Sequence, residues 1–291
     1  MRGYPSVVLA VLVLLHPPLA LEEAGAAGKI AGTLSVQDAL TAPGRPVRIE
    51  ARLVRDGIVG QTGLGGEQLE LTVEGKKAGT AMTGGDGRAF FEYIPRRRGN
   101  FIVKVRLATS HRVESPEASA TVACWERRRP MLLVEVVALT EETKAPLVPL
   151  PSFPLEFGRR DNPIPAPDAA DELKRLAQFY FNVIYVSRSG RDEMGGTRDI
   201  REWLQEHRFP NGLSMTVPSG QTSLASKIEE LRAEGWNNLK AGIGRTREFA
   251  EVLADHRMEV ILVADSNRKG DLPKRVRVAE DWKDVRRKLQ R

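Results

Sequence analysis

The sequence predicts two domains of different class, an antiparallel β-sandwich followed by an α/β domain built on a mostly parallel sheet. From about Lys29 to Cys124, short runs alternate between apolar and polar residues, which is typical of strands with one buried face. After Pro130, continuous apolar runs alternate with helical patterns, which indicates strands buried on both faces and joined by helices. A chain of 291 residues is long enough for two such domains.

The composition is that of a globular protein, with 41% hydrophobic and 28% charged residues and a formal net charge of +6. Two arginine runs, 96–98 and 127–129, are interpreted either as solvated rims or as a weak contact with an anionic membrane surface. Neither run is interleaved with aromatic residues, so no nucleic-acid partner is expected. The single cysteine, Cys124, excludes an intrachain disulfide, and the scattered histidines argue against a zinc site.

Residues 1–26 have the pattern of an export signal. Arg2 provides a short positive start, and Val7 to Leu15 form an apolar core. The cleavage site is expected at the small residues Ala24-Gly25-Ala26 or at Leu19-Ala20. The apolar run is shorter than the roughly 20 residues that span a bilayer, which favours a cleaved signal over a retained N-terminal anchor. In either case we expect the rest of the chain to be extracytoplasmic, periplasmic or secreted.

The first domain, residues 29–124, consists of short alternating segments separated by turn residues such as Pro43-Gly44 and Gly84-Gly85-Asp86-Gly87. Several short strands at this spacing predict an antiparallel sandwich. The order of its turn motifs, with Asp86-Gly87-Arg88 followed by Gly99-Asn100-Phe101, resembles bacterial immunoglobulin-like domains. That resemblance implies a spacer or, alternatively, an adhesive module.

Residues 125–130 are interpreted as a charged linker, and residues 131–291 as the α/β domain. The Pro-rich stretch from Lys144 to Pro167 is interpreted either as a flap over the sheet or as a surface loop. Apolar runs predict the strands of the sheet, at 131–140, 181–188, 213–217, 259–264 and 275–278.

Ligands of such sheets bind beyond the carboxyl ends of the strands, so the residues that follow each apolar run are the candidate site. Ser187 ends one predicted strand, and Asp265 ends another with Asp271 six residues later. Lys240 is placed just before a predicted helix.

This constellation resembles the haloacid dehalogenase superfamily of phosphotransferases. Within that superfamily, it is similar to the carboxyl-terminal domain of lipin-type phosphatidate phosphatases and phosphatidylinositol-transfer proteins. The resemblance implies that Ser187 and Lys240, or less well Lys227, bind a phosphoryl group, and that Asp265 and Asp271 bind Mg²⁺. The similarity rests on Val183 to Ser187, Thr197-Arg198, Arg201 to Leu204 and Phe209 to Gly212.

The first motif of the family is degraded in this chain. The family places an Asp nucleophile at the end of the first strand and an Asp acid/base two residues later, where this sequence has Glu135 and Val137. Valine transfers no proton, and the extra methylene of Glu moves its carboxylate by about 1.5 Å. We expect a loss on the order of 10²-fold in rate from the misplaced carboxylate and a further loss of about 10²- to 10⁴-fold from the missing acid/base.

We therefore favour a non-catalytic binding or scaffold protein, whose partner is an unidentified protein or a phosphorylated ligand. The alternative is a divergent Mg²⁺-dependent phosphatase that acts on a phospholipid or a small phosphate ester, with Glu135 as the nucleophile. Each residue also has a structural interpretation: Ser187 as a cap, Asp265 as a turn residue, Lys240 as a surface lysine and Glu135 as a buried paired acid. An adhesive role of the first domain is a third hypothesis.

Overall fold

The computed structural model describes residues 28–57, 60–141, 163–189, 197–218, 221–263 and 272–289. The predicted export signal and most of the Pro-rich stretch lie outside these ranges. In the part of the chain that is described, no helix combines the length and the apolar character needed to cross a membrane.

The first domain is a β-sandwich, as predicted. Its core lies between two sheets and includes Ile49, Leu69, Phe91 and Val103. Its described strands are β1 (Ile30–Ala31), β2 (Thr33–Val36), β3 (Ala39–Thr41), β4 (Val47–Gly57), β5 (Gly60–Gly63), β6 (Gln68–Val73), β7 (Lys76–Met82), β8 (Arg88–Tyr93), β9 (Gly99–Leu107), β10 (Val113–Glu114) and β11 (Ala118–Cys124).

One sheet of the sandwich has the order β3-β11-β9-β6-β7, and in the other β4 pairs with β2, β5 and β8. The pairings are antiparallel except for β3 with β11 and the short β1 with β10, which are parallel. The strand β4 illustrates why the sequence folds this way, because Val47, Ile49, Ala51 and Leu53 alternate with polar residues and all four are buried.

The second domain is a parallel α/β sheet, also as predicted. Its described elements are β12 (Met131–Glu135), a 3₁₀ turn (Val136–Leu139), α1 (Ala169–Phe179), β13 (Asn182–Ser189), α2 (Thr197–Glu206), β14 (Leu213–Pro218), α3 (Gln221–Ala233), β15 (Leu239–Gly244), α4 (Arg247–Asp255), β16 (Glu259–Val263), β17 (Val276–Ala279) and α5 (Trp282–Leu289). The six strands have the order β14-β13-β12-β15-β16-β17, and all pairings are parallel.

Helices cover both faces of this sheet. Side chains of α3 and α4, such as Ile228 and Phe249, pack on one face, and those of α1, α2 and α5, such as Leu173, Trp203 and Trp282, pack on the other. This arrangement explains why the strands are continuous apolar runs, since neither face of the sheet is in contact with water.

The sequence interpretation missed β15, and the placement of Lys240 just before a helix is wrong. Lys240 is the second residue of this strand, in which Gly242 and Gly244 obscure the strand signal. The two glycines admit α4, because a Cβ at Gly242 would lie 2.1 Å from Leu253 and one at Gly244 would lie 2.4 Å from Phe249.

A buried ion pair joins the two domains. The Asp38 carboxylate, between β2 and β3, accepts a hydrogen bond from Arg201 Nη2 on α2 at 2.6 Å. It also accepts hydrogen bonds from the backbone N–H of Thr121 at 2.8 Å and of Ser214 at 2.7 Å. Arg201 Nη1 donates in addition to the Ser119 carbonyl. A single carboxylate thus links strands of both domains to one helix.

The segment interpreted as a linker is packed between the domains. Trp125 is buried and belongs to the hydrophobic cluster on the α3 and α4 face of the sheet. Its indole N–H donates to Asn100 at 2.7 Å, and Asn100 donates in turn to the carbonyl of Asn211 at 2.6 Å. The β-sandwich is therefore fixed against the α/β domain.

Replacing Arg201 with Met leaves the Asp38 carboxylate buried without its cation. We expect the free energy of unfolding at neutral pH to fall by about 3–5 kcal/mol, measured by urea denaturation. The control is Arg287→Met, which removes an arginine whose side chain is 66% exposed and should cost about 0.5 kcal/mol or less.

This penalty should depend on pH. Burial raises the pKa of Asp38 above its ordinary value of 3.8, although Arg201 lowers it. Because the pKa of Asp38 is higher in the folded state than in the unfolded state, the free energy of unfolding falls as pH rises from the unfolded-state pKa to the folded-state pKa. Removing Arg201 raises the folded-state pKa further, so this pH range becomes wider. The loss caused by Arg201→Met should therefore shrink toward acidic pH. A loss of the same size at neutral and acidic pH would contradict the role of the buried carboxylate.

Candidate functional site

The carboxyl end of β12 is closed by the side chain of Glu135, which is only 3% exposed. Its Oε2 accepts hydrogen bonds from the backbone N–H of Arg245 at 2.8 Å and of Thr246 at 2.9 Å, and its Oε1 accepts from the Thr246 hydroxyl at 2.5 Å. These are donors at the start of α4, where backbone N–H groups lack partners within the helix. The carboxylate therefore caps α4.

Thr246 and Gly244 allow the carboxylate this position. Thr246 is the N-cap of α4, and its hydroxyl also accepts from the backbone N–H of Phe249 at 3.3 Å. A Cβ at Gly244 would lie 2.9 Å from Glu135 Oε2, closer than side chains normally approach. The two glycines of Gly242-Ile243-Gly244 therefore leave room on β15 both for the side chains of α4 and for the Glu135 carboxylate.

Arg188 and Glu248 form an ion pair beside this cap. Arg188, on β13, is 6% exposed, and its Nη1 lies 2.5 Å from Oε1 of Glu248 in the first turn of α4. Arg245 adds a second guanidinium, which donates to the Thr140 carbonyl. Two arginines therefore lie near the carboxyl end of β12.

Ser187 lies at the carboxyl end of β13 but on the other face of the sheet. Side chains alternate along a strand, and Ser187 shares the face of Val183 and Tyr185 in the cluster that α1 and α2 cover, whereas Glu135 shares the face of Leu133. The Ser187 hydroxyl is hydrogen bonded to that of Thr216 on β14 at 2.9 Å. The structure therefore does not bring Ser187 and Glu135 together.

Lys240 lies at the opposite end of the sheet from Ser187. Its neighbours on β15, Leu239 and Ala241, pair with Met131 and Leu132 at the start of β12, whereas Ser187 follows the residue that pairs with Glu135 at its end. Lys240 is exposed. Its phosphate-binding role remains a prediction that this geometry does not support.

The predicted magnesium ligands, Asp265 and Asp271, lie outside the described residues. At the end of β12, the Glu135 carboxylate is occupied by three hydrogen-bond donors, and two arginines lie close by. No group of three or more His, Cys, Asp or Glu suited to a metal occurs among the described residues. The residues described at this strand end thus do not fit Mg²⁺, which prefers several carboxylate and water oxygens.

A groove of about 620 Å³ lies between the domains, alongside β14, the edge strand of the parallel sheet. Lys227 on α3 lines it, and so does Thr216, the hydrogen-bond partner of Ser187. Its lining also includes many hydroxyl side chains, namely Thr33, Ser35, Ser119 and Ser214. Polar side chains that converge in a concave surface make this groove the candidate ligand site.

Several residues of the site were not predicted from the sequence. The cap of α4 had a signal, since Thr246 precedes an apolar pattern that includes Phe249 and Leu253. No local sequence signal predicts the pairings of Arg188 with Glu248 and of Arg201 with Asp38, because the paired residues are far apart in the chain.

The two strand orders define the class of each part: an antiparallel β-sandwich, joined to an α/β domain whose parallel sheet is covered by helices on both faces. No family model matches the sequence, and no curated protein matches it.

Solved structures resemble each part separately. A D,D-heptose 1,7-bisphosphate phosphatase from B. bronchiseptica, complexed with magnesium and phosphate, is 16% identical and covers 56% of this chain and 98% of its own, with a TM-score of 0.43. The CARDB domain of a Pyrococcus furiosus protein, in complex with di-metal ions, is 13% identical and covers 32% of this chain and 91% of its own, with a TM-score of 0.25. Fibronectin(III)-like modules of Clostridium thermocellum CbhA are 11% identical and cover 31% of this chain and 94% of their own, with a TM-score of 0.23.

If Glu135 is a helix cap, replacing it with Leu should destabilise the protein because backbone donors of Arg245 and Thr246 lose their acceptor. We expect a loss of about 1–3 kcal/mol for each donor left unpaired, measured by urea denaturation. Glu135→Gln keeps an acceptor oxygen in the same position, so its loss should be smaller, about 1 kcal/mol. Equal stability of Glu135→Leu and the unmodified protein would contradict the capping role.

Proposed function

We propose that the protein is an exported, non-catalytic binding protein, in which a haloacid dehalogenase-like domain has lost phosphatase chemistry and presents a ligand groove. The observation that carries this proposal is the engagement of Glu135. Its carboxylate accepts three hydrogen bonds from Arg245 and Thr246. A nucleophile needs lone pairs directed at the substrate, and three of the roughly four lone-pair sites of this carboxylate are directed at the protein.

The surroundings of Glu135 support the same conclusion. Val137, the residue at the acid/base position, carries no titratable group. Arg188 and Glu248 fill the space near the cap with a nearly buried ion pair. A divergent Mg²⁺-dependent phosphatase would require a nucleophile and an acid/base from elsewhere in the chain.

Export is supported by the pattern of residues 1–26. A positive residue, an apolar core and small residues follow one another in the order of a signal peptide. The one cysteine, Cys124, is buried, so its thiol is shielded from oxidants in an oxidising compartment. In this account the immunoglobulin-like domain is a spacer that also forms one wall of the groove.

The groove suits a phosphorylated ligand better than an apolar one. The hydroxyl groups of Ser119 and Ser214 can donate to phosphate oxygens, whereas those of Thr33 and Ser35 donate to Asp56 and to the Arg52 carbonyl. The ammonium group of Lys227 supplies a positive charge. Lys227 is held on α3 by an ion pair with Glu230 at 2.6 Å, with 43% of its side chain exposed. Ser187 takes part indirectly, through its hydrogen bond to Thr216.

Lys227→Met should weaken the binding of phosphoserine or inorganic phosphate by about tenfold or more, because a charge-assisted hydrogen bond is lost. Isothermal titration calorimetry on the two proteins measures this change. Lys174→Met is the matched control, since Lys174 also pairs three residues away on a helix, with Asp171, and has 42% side-chain exposure, but does not line the groove. It should leave the affinity unchanged.

Two results would contradict the assignment of the groove. One is an equal loss of affinity in both lysine variants, which would indicate a general charge effect. The other is the absence of any binding of phosphoserine or phosphate by the unmodified protein.

A further inference from the structure

Three segments that are distant in the sequence meet at the amino edge of the parallel sheet. The β8–β9 loop carries Arg98, whose guanidinium lies 3.3 Å from Glu126 in the segment that precedes β12. From that same segment, Arg129 donates to the carbonyls of Ala177, Gln178 and Phe181 at the end of α1. A cavity of about 260 Å³ is lined by all three segments, through Arg98, Arg129 and Phe181 among others.

Large apolar side chains are exposed in this region. Phe179 is 66% exposed and Tyr180 is 46% exposed at the end of α1, and Ile94 is 53% exposed in the β8–β9 loop. The aromatic side chains lie edge to face, with ring centroids 6.3 Å apart. In a protein with a polar surface, adjacent exposed residues of this size indicate a contact surface rather than chance.

The same segments carry both arginine runs of the sequence. Arg96, Arg97, Arg98, Arg127 and Arg128 are exposed. Two of them have carboxylate partners, Glu74 for Arg97 at 3.4 Å and Glu126 for Arg98 at 3.3 Å, and all four of these side chains are more than half exposed. Such exposed pairs are weak and exchange readily with other anions, so the region keeps an excess of positive charge.

We infer that this basic-aromatic face, formed by Ile94, Arg96, Arg97, Arg98, Arg128, Phe179 and Tyr180, docks on an anionic lipid surface. Phe179 and Tyr180 lie about 50 positions or more from the arginine runs in the sequence. The contact of Arg98 with Glu126 and those of Arg129 with the end of α1 bring these segments together in the fold. Arginines bind lipid phosphates while Phe179, Tyr180 and Ile94 enter the interfacial layer, a combination typical of peripheral membrane binding.

The face lies apart from the proposed ligand groove. The face surrounds the amino ends of β12 and β13, whereas the groove follows β14 and includes Thr216 and Lys227. Membrane docking through the face would therefore leave the groove accessible, and the two sites can be tested independently.

The test is cosedimentation of the chain from residue 27 onward with vesicles of phosphatidylcholine mixed with phosphatidylglycerol, and with vesicles of phosphatidylcholine alone. Omitting residues 1–26 removes the apolar run of the predicted signal, which would partition into bilayers by itself. We expect binding to the anionic vesicles that weakens as salt is raised. Arg96→Gln combined with Arg97→Gln should weaken it by about 25-fold, roughly fivefold per arginine.

The charge control is Arg88→Gln combined with Arg247→Gln. It removes the same two charges from the far end of β8 and from the start of α4, and it should leave binding unchanged. A second variant, Phe179→Ser combined with Tyr180→Ser, keeps every charge and should weaken binding about tenfold or more, because apolar burial in the interface is lost.

Circular dichroism spectra and thermal unfolding of all variants establish that these surface substitutions leave the fold intact. Equal losses in the two arginine variants would overturn the assignment to this face. Binding that survives Phe179→Ser with Tyr180→Ser would also overturn it, because charge attraction without insertion suits any polyanion, nucleic acid included. Equal binding to neutral and anionic vesicles would contradict the role of the arginines.

Discussion

The buried carboxylate of Glu135 holds together the sheet edge at which proteins of this architecture bind their ligands. It fixes the end of β12 to the start of α4, and Gly244 leaves room for it by having no side chain. An acid placed at this strand end for catalysis would need oxygens that face the solvent. In this chain those oxygens accept hydrogen bonds from Arg245 and Thr246 within the protein, and this engagement is the basis of the proposed non-catalytic role. Arg188 and Glu248 extend this closed edge with opposite charges that satisfy each other.

The second constraint is the position of the sandwich against the α/β domain. Asp38, Arg201 and the buried Trp125 make the junction a packed interface rather than a flexible tether. The rigid junction creates the proposed ligand groove, whose walls come from β2 on one side and from β14 on the other. It also brings the β8–β9 loop of the sandwich next to the end of α1, where Arg98 and Phe181 line the same cavity.

Local patterns were sufficient to predict the fold class. The alternation in β4 reflects a strand with one buried face, and the continuous apolar runs in β12 and β13 reflect strands with two buried faces. They failed at β15, where glycines needed for helix packing removed the strand signal, and so Lys240 was assigned to the wrong end of the sheet. Ser187 was correctly expected at a strand end, but its partner Thr216 depends on the order of strands in the sheet. Pairs such as Asp38 with Arg201 are separated by 163 positions, and no local signal of charge or periodicity connects them. Asp265 and Asp271 remain predictions, since they lie outside the described residues.

A turnover measurement distinguishes a structural Glu135 from a catalytic one. The measurement is hydrolysis of a panel of phosphate esters, phosphatidate included, by the mature protein with and without Mg²⁺, in parallel with Glu135→Gln and Asp265→Asn. We expect no magnesium-dependent hydrolysis by the unmodified protein beyond that of either variant. Magnesium-dependent turnover that both substitutions abolish would contradict it, and would establish Glu135 as a nucleophile in an active, divergent phosphatase.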